Sequence, residues 1–119
     1  MPEITDKQEI IDTWGESFAD LAGHKRVHFY TDAIGVDLKS PVNLLDGTQV
    51  SQLRLAEPTT TDLLNMDRVK GEMAKVADLV TSVGDIRPAE VHKISARDFI
   101  LLGEVVAAFL LDGRETPGT

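Results

Sequence analysis

Residues 41–64, PVNLLDGTQVSQLRLAEPTTTDLL, constrain the fold most, because they combine a hairpin signal, a proline stop and a helix start. The Asp46-Gly47 dipeptide lies between two apolar runs and is typical of a two-residue hairpin turn. Such a turn would place Val42 opposite Ser51 and leave the apolar residues mismatched across the two strands. We therefore expect a bulge or a longer loop in this hairpin.

A helix is predicted directly after the hairpin. Pro58 cannot donate a hydrogen bond to a strand ladder, so the second strand should end by about Ala56. Thr59 and Asp62 then suit the N-cap and the first turn of a helix, and Gly71 marks a bend or a close approach within it. One buried face is expected on this helix, formed by Leu63, Met66, Val69, Met73, Val76, Ala77 and Val80.

The segment before residue 36 contains a predicted helix and a predicted strand. Thr5 and Gln8 have capping-box spacing, and apolar residues at helical intervals indicate an amphipathic helix over about residues 6–22. We expect Trp14 and Phe18 to pack this helix onto the body of the protein. The mixture of β-branched and aromatic residues in HKRVHFY, residues 24–30, favours a strand.

Two further helices are predicted in the C-terminal part. Pro88 suits the first turn of a short helix. Ser95 and Asp98 have the S-x-x-D spacing of a helix start, and the helix that they open should run to about residue 111, where Asp112-Gly113 can end it. This last helix is apolar on nearly every side.

These elements indicate one α+β domain, in which a small antiparallel β-hairpin or three-stranded sheet packs with about three to four helices. A chain of 119 residues suits a single compact domain. We divide it into a core at residues 36–111, an N-terminal extension at residues 1–35 and a flexible tail at residues 112–119.

Composition argues against several classes of function. Asp and Glu total 20 against 12 Lys and Arg, which gives a net charge of −8 that would repel nucleic-acid phosphates. Without cysteine, no disulfide, thiolate zinc site or cysteine nucleophile can form. The acidic N-terminus carries no secretory signal, and the apolar run at residues 99–111 contains Glu104 and is too short to cross a bilayer. We expect a soluble protein that binds neither nucleic acid nor membranes.

No motif indicates catalysis or a cofactor. His24 and His28 have i,i+4 spacing, but their segment is predicted to be extended and His92 is remote, so we interpret them as surface residues rather than metal ligands. The isolated glycines predict no phosphate-binding loop. The aspartates lie at predicted helix starts and solvent positions, so they do not support a paired-carboxylate catalytic site. They are Asp62, Asp67, Asp78, Asp85, Asp98 and Asp112.

The last helix is the strongest candidate for a binding surface. It presents more apolar side chains than a small sheet and two helices can easily cover. Each of these residues can serve the core, a homodimer seam or a foreign partner, in that order of expectation. The candidates for partner binding are Phe99, Leu102, Val105, Val106, Phe109 and Leu110.

The order of these parts resembles a known family. A strand leading into Pro41-Val42, the Gly47 turn, the strand VSQLRL, Pro58-Thr59 and a helix opened by Asp62-Leu63 precede a closing D-F-I-L-L-x-x-V-V-x-x-F-L pattern. This arrangement is similar to that of the tail assembly chaperone family of Mu-like contractile-tailed bacteriophages. The resemblance covers about residues 36–111.

The resemblance implies a non-enzymatic protein without a cofactor, active in the cytoplasm of the bacterial host and absent from the mature virion. Such a protein would bind the tape measure protein and promote assembly of the tail tube around it. The tail tube protein and a longer frameshifted form of the chain are other partners that the resemblance implies. The apolar last helix, which a twofold seam could cover, leaves a homo-oligomer open as well.

Two other functions stay open from the residues alone. The same α+β pattern suits a small structural tail or connector component of a virion. A small ligand- or metal-binding domain that uses His24, His28 and nearby acids is the second alternative.

Overall fold

The computed structural model describes the backbone of residues 3–84 and 86–114, and the side chains within these ranges as far as residue 111. The helices are α1 (Lys7–Trp14), α2 (Thr60–Asp67), α3 (Glu72–Val83), α4 (Pro88–Val91) and α5 (Ala96–Arg114). The strands β1 (Val27–Phe29), β2 (Ile34–Asn43) and β3 (Gln49–Leu55) form one antiparallel sheet in the order β1-β2-β3. The predicted α+β class is confirmed.

The β2-β3 hairpin closes through a loop longer than two residues, as predicted. Asn43 pairs with Gln49, and beyond this pair the Leu44 N–H donates to the Thr48 carbonyl at 2.7 Å. Gly47 has a φ of 92° and donates its N–H to the Leu44 carbonyl at 3.0 Å. Glycine suits this position because it adopts positive φ without a steric cost.

A large bulge in β2 confirms the other part of the hairpin prediction. Asp37 pairs with Gln52, whereas the next paired residue of β2 is Val42, which faces Val50. Residues 38–41 of β2 therefore lie opposite Ser51 alone. Pro41, which has no N–H to donate, lies within the bulge, where a ladder hydrogen bond is not needed.

The carboxylate of Asp98 binds the bulge to the start of α5. Asp98 is fully buried and accepts hydrogen bonds from the backbone N–H groups of Lys39 and Ser40, at 3.0 and 3.1 Å. The Ser95 hydroxyl and the Arg26 guanidinium also donate to it. Burial alone would raise the pKa of Asp98, but these hydrogen bonds and the Arg26 charge hold that pKa below its usual value.

The sequence correctly placed Asp98 in the first turn of a helix but did not indicate that its carboxylate is buried. The Asp98 N–H donates to Ser95 Oγ at 3.3 Å, as the S-x-x-D spacing indicates. The partners that bury the carboxylate come from residues 26, 39 and 40, which are remote from it in sequence. Local spacing therefore could not reveal its burial.

The predicted N-terminal helix over residues 6–22 is too long. Helix α1 ends at Trp14, because Gly15 has a φ of 116° that breaks the helical path, and a 3-10 turn at Glu16–Phe18 follows. Phe18 is fully buried and makes edge contacts with Phe29 and Phe109, with ring centroids 6.1 and 5.1 Å apart. The predicted packing role of the aromatic residues of this segment is confirmed.

Residues before the strand β2 contribute to the same core as the rest of the chain. Trp14 contacts Phe109 and donates its indole N–H to the Tyr30 carbonyl at 2.8 Å. Ser17 donates its hydroxyl to the Ala108 carbonyl on α5 at 2.6 Å. Buried apolar side chains of this segment that join the common core are Ile4, Ile10, Phe18, Leu21, Val27 and Phe29.

The helix predicted after Pro58 is divided in two. Thr59 and Asp62 form a reciprocal capping box at its start, as the sequence indicates, but α2 ends at Asp67. Gly71 has a φ of 98° and precedes a separate helix, α3. Of the residues expected to form one buried face, only Val80 is buried, whereas Leu63 of α2 and Met73 of α3 are 38 % and 67 % exposed. Leu79, which was not among them, is buried as well, and α2 has no buried residue.

The remaining helix predictions differ from the structure only in their ends. The short helix at Pro88 is confirmed as α4. Helix α5 begins at Ala96 as predicted, but its backbone continues to Arg114, so Asp112-Gly113 does not end it. The part of the predicted flexible tail that covers residues 115–119 lies outside the described residues.

His28 of β1 is linked to β2 and to the N-terminal residues by hydrogen bonds to two carboxylates. Its Nε2 lies 2.7 Å from Asp37 Oδ2 on β2, and its Nδ1 lies 3.0 Å from Glu3 Oε2. Burial alone would lower the pKa of His28, but the hydrogen bonds and charges of Asp37 and Glu3 outweigh it and raise the pKa. The protonated imidazolium is thus the form that the fold favours.

Stability should therefore fall with rising pH through His28. The His28 contribution is complete below the unfolded pKa of about 6.5 and is lost as pH rises through the higher folded pKa. We expect the free energy of unfolding, measured by urea titration between about pH 6 and about pH 9, to fall less in His28→Gln than in the original protein. His92→Gln is the control and should keep the original pH dependence. Equal slopes in His28→Gln and the original protein would contradict the assignment.

Removal of the Asp98 carboxylate should destabilise the whole domain. Asp98→Ala leaves the Arg26 guanidinium and two backbone N–H groups without their acceptor, which costs about 3–5 kcal/mol in comparable buried pairs. Asp62→Ala removes an acid from the same position of a capping box on α2 and should cost about 1 kcal/mol or less. Urea unfolding of both variants would measure the difference, and similar losses would show that the buried carboxylate has no special role.

Candidate functional site

Helix α5 uses most of the predicted partner-binding residues within the protein itself. Leu102 and Val105 are 0 % exposed and Val106 is 1 % exposed, so a partner cannot reach them in the folded domain. Phe109 is half-buried between Trp14 and Phe18. These side chains hold α5 against the sheet and the N-terminal segment.

The other two predicted residues lie closer to the surface. Leu110 is half-buried and packs against the core. Phe99 is half-buried and lines an open groove at the start of α5. Ile100, the next residue, is 62 % exposed and was not among the predicted contacts. The helical repeat places Ile100 and Leu102 on different faces of α5, but it does not show which of these faces is exposed to solvent.

The groove lies where α3, α4 and α5 meet and has a volume of about 430 Å³. Alanine side chains leave room between the helices, while Phe99 and Met73 supply large apolar surfaces; Met73 is 67 % exposed. No lining residue carries a fixed charge. The residues that line this groove are Met73, Ala74, Ala77, Val91, His92, Ile94, Ala96 and Phe99.

Glu90 holds the α4 wall of the groove in place. Its Oε1 accepts the Arg87 N–H at 2.9 Å and its Oε2 accepts the Leu45 N–H of the hairpin loop at 2.6 Å. These backbone hydrogen bonds hold the pKa of Glu90 below its usual value. Because Glu90 is buried and ionised, α4 is tied to the hairpin rather than free to close over the groove.

Helix α2 presents a second apolar surface. Leu64 is 59 % exposed, and Leu63 is 38 % exposed although it belongs to the apolar pattern that predicted burial. Lys75 of α3 and Asp67 of α2 approach to 4.0 Å across the two helices. Neither Leu63 nor Leu64 lines the groove between α3, α4 and α5.

The histidines take up three unrelated environments. His28 lies between two carboxylates, His24 Nδ1 accepts the Arg26 N–H at 3.1 Å, and His92 lines the groove. Within the described ranges, no group of three or more histidine, aspartate or glutamate side chains could hold a metal ion. None of the helices in the described part of the chain is long and apolar enough to cross a membrane.

Comparison with known proteins identifies the family of this chain. Neither the search of curated proteins nor the search of solved structures gives a match. The family described as "Phage tail assembly chaperone proteins, E, or 41 or 14" matches residues 35–111, which extend from β2 into α5 and include every residue of the groove. Since this match covers well over half of the chain, the protein belongs to the phage tail assembly chaperone family.

Proposed function

We propose that this protein is a non-enzymatic chaperone that binds the tape measure protein during phage tail assembly. The family match over residues 35–111 supports a role in tail assembly, and it is the observation that carries the proposal. The tape measure protein is the partner that the sequence resemblance implied. In this proposal the chaperone acts in the cytoplasm of the bacterial host and is absent from the mature virion.

The exposed apolar side chains supply a physical means for this function. Leu64, Met73 and Ile100 are each more than half exposed on a domain whose other large apolar residues are mostly buried. Apolar surface of this kind can cover the apolar stripes of a long helical chain, which would otherwise aggregate before the tube encloses it. A small, discontinuous contact also permits release, because it leaves little surplus over the loss of translational and rotational freedom on association.

The tail tube protein, a longer form of the chain and further copies of it remain proposed partners of the same process. A chaperone that delivers a tape measure to a growing tube must leave as tube subunits arrive. The net charge of −8 opposes contact between copies at long range, so self-association would need apolar burial to offset this repulsion.

Co-expression with the tape measure protein of the same genome would test the function. We expect the tape measure protein to be insoluble when expressed alone and to be soluble, and to co-elute with this protein, when the two are expressed together. Ser51→Lys, on an exposed strand position away from the apolar surfaces, is a control that should behave like the original protein. A tape measure protein whose solubility and elution do not change would contradict the proposal.

Mass spectrometry of purified virions would separate the chaperone from a structural tail component. A chaperone should be present in lysates of infected cells and missing from purified particles. Detection in particles at a constant ratio to the tail tube protein would instead support the structural alternative.

A further inference from the structure

We propose that a proton on His28 latches residues 3–5, the segment before α1, onto the outer edge of β1, and that loss of this proton lets the segment open. We call residues 3–5 the strap. The strap precedes the residues that match the family, so the latch does not rest on the proposed function.

The strap extends the sheet beyond β1 through a single bridge. The Ile4 N–H donates to the Phe29 carbonyl at 2.7 Å, and the two residues form an isolated antiparallel pair. The Ile4 side chain is buried in the common core, whereas Glu3 and Thr5 on either side of it are exposed. A cleft of about 210 Å³ lies between the strap, α1 and β1. Because one bridge attaches the strap to the sheet, a further contact can change how often it opens.

That further contact is the ring of His28, both of whose nitrogens face carboxylate oxygens. Nδ1 lies 3.0 Å from Glu3 Oε2 on the strap, and Nε2 lies 2.7 Å from Asp37 Oδ2 on β2. An ionised carboxylate only accepts hydrogen bonds, and a ring nitrogen donates only when it carries a proton. The imidazolium has two N–H groups and makes both bonds, whereas neutral imidazole has one N–H and makes one of them.

Neutral His28 should release Glu3 and keep Asp37. The ring nitrogen without a proton turns a lone pair toward a carboxylate, and this contact is repulsive. Asp37 is held within the sheet, because its N–H donates to the Arg26 carbonyl at 2.8 Å and its Oδ1 accepts from Gln52 Nε2 at 2.9 Å. Glu3 lies on the strap, which can move away. Loss of the proton therefore weakens the attachment of the strap rather than the pairing of β1 with β2.

The charges around His28 make the latch close at low pH. Burial would lower the pKa of His28, but the hydrogen bonds and charges of Asp37 and Glu3 outweigh it and raise that pKa. Arg26 exerts its charge on Asp37, and His24, beside the same cleft, accepts the Arg26 N–H. The strap is therefore latched below the ordinary histidine pKa of about 6.5 and opens as pH rises through the higher pKa of the folded protein.

Opening of the strap uncovers the outer edge of β1. The Phe29 carbonyl loses the Ile4 N–H as its partner, and the cleft beside it opens to solvent. An uncovered strand edge presents unpaired backbone groups that can pair with another strand. The proton on His28 thus determines whether this edge is covered by the chain itself.

Hydrogen exchange of the Ile4 N–H would measure the latch. Its protection factor, which corrects for the intrinsic pH dependence of exchange, should fall by about threefold between about pH 6 and about pH 9. The Gly84 N–H, which donates to the Val80 carbonyl at the end of α3, is an internal reference for overall stability and should change less. An Ile4 protection factor that does not change over this range, or changes only as much as that of Gly84, would overturn the inference.

A glutamine in place of Glu3 should remove the pH dependence of the strap. An amide can accept from Nδ1–H of the imidazolium or donate to the bare Nδ1 of neutral His28, so Glu3→Gln holds the strap in both forms. Glu9→Gln makes the same charge change at an exposed position of α1 and should keep the original pH dependence. Exchange of the Ile4 N–H with the same pH dependence in both variants would show that Glu3 is not part of the latch.

Nitrogen NMR of the His28 ring would identify which contact is released. Above the pH at which His28 titrates, the ring should carry its single proton on Nε2, which faces Asp37. The chemical shifts of the two ring nitrogens separate this form from the one with the proton on Nδ1. A proton on Nδ1 would mean that the bond to Glu3 is retained, and the inference would be wrong.

Discussion

The buried carboxylate of Asp98 is the interaction on which the rest of this structure depends. It accepts hydrogen bonds from the bulged backbone of β2 and from the Arg26 guanidinium, and it lies in the first turn of α5. A buried charge is tolerated only when enough donors replace its lost water. The bulge meets that requirement, because its extra residues turn two backbone N–H groups away from the sheet ladder. The same carboxylate thereby determines where the longest helix meets the sheet.

The position of α5 decides which apolar surface is left for a partner. The buried side chains of α5, among them Leu102 and Val105, pack on the sheet and on the aromatic cluster around Phe18. Phe18 and Arg26 precede residue 35, so residues before the range that matches the family help to hold this helix. The exposed side of α5 then faces the groove that α3 and α4 complete. The ion pair between Arg26 and Asp98 therefore helps to position the surface around Phe99.

The separation of α2 from α3 adds to the exposed apolar surface. Gly71 adopts a positive φ between them, and α2 is left without a buried residue although its apolar pattern resembles that of a core helix. Such side chains are costly on a solitary protein and useful on one that binds an aggregation-prone chain. Leu64, Met73 and Ile100 are therefore the exposed side chains that the proposed partner could cover.

The sequence by itself determined the elements whose signals are local. The Asp46-Gly47 hairpin, its irregular register, the Thr59 and Ser95 helix starts and the α+β class all follow from neighbouring residues, and the order of these parts was enough to indicate the family. The tertiary structure alone decided which helix faces are buried. Leu63 and Met73 were predicted to be buried but are 38 % and 67 % exposed, and the burial of the Asp98 carboxylate was not predicted, because burial depends on partners supplied by distant parts of the chain. The groove has the same origin: no local pattern specifies an unfilled space, which exists only once three separate helices have packed around it.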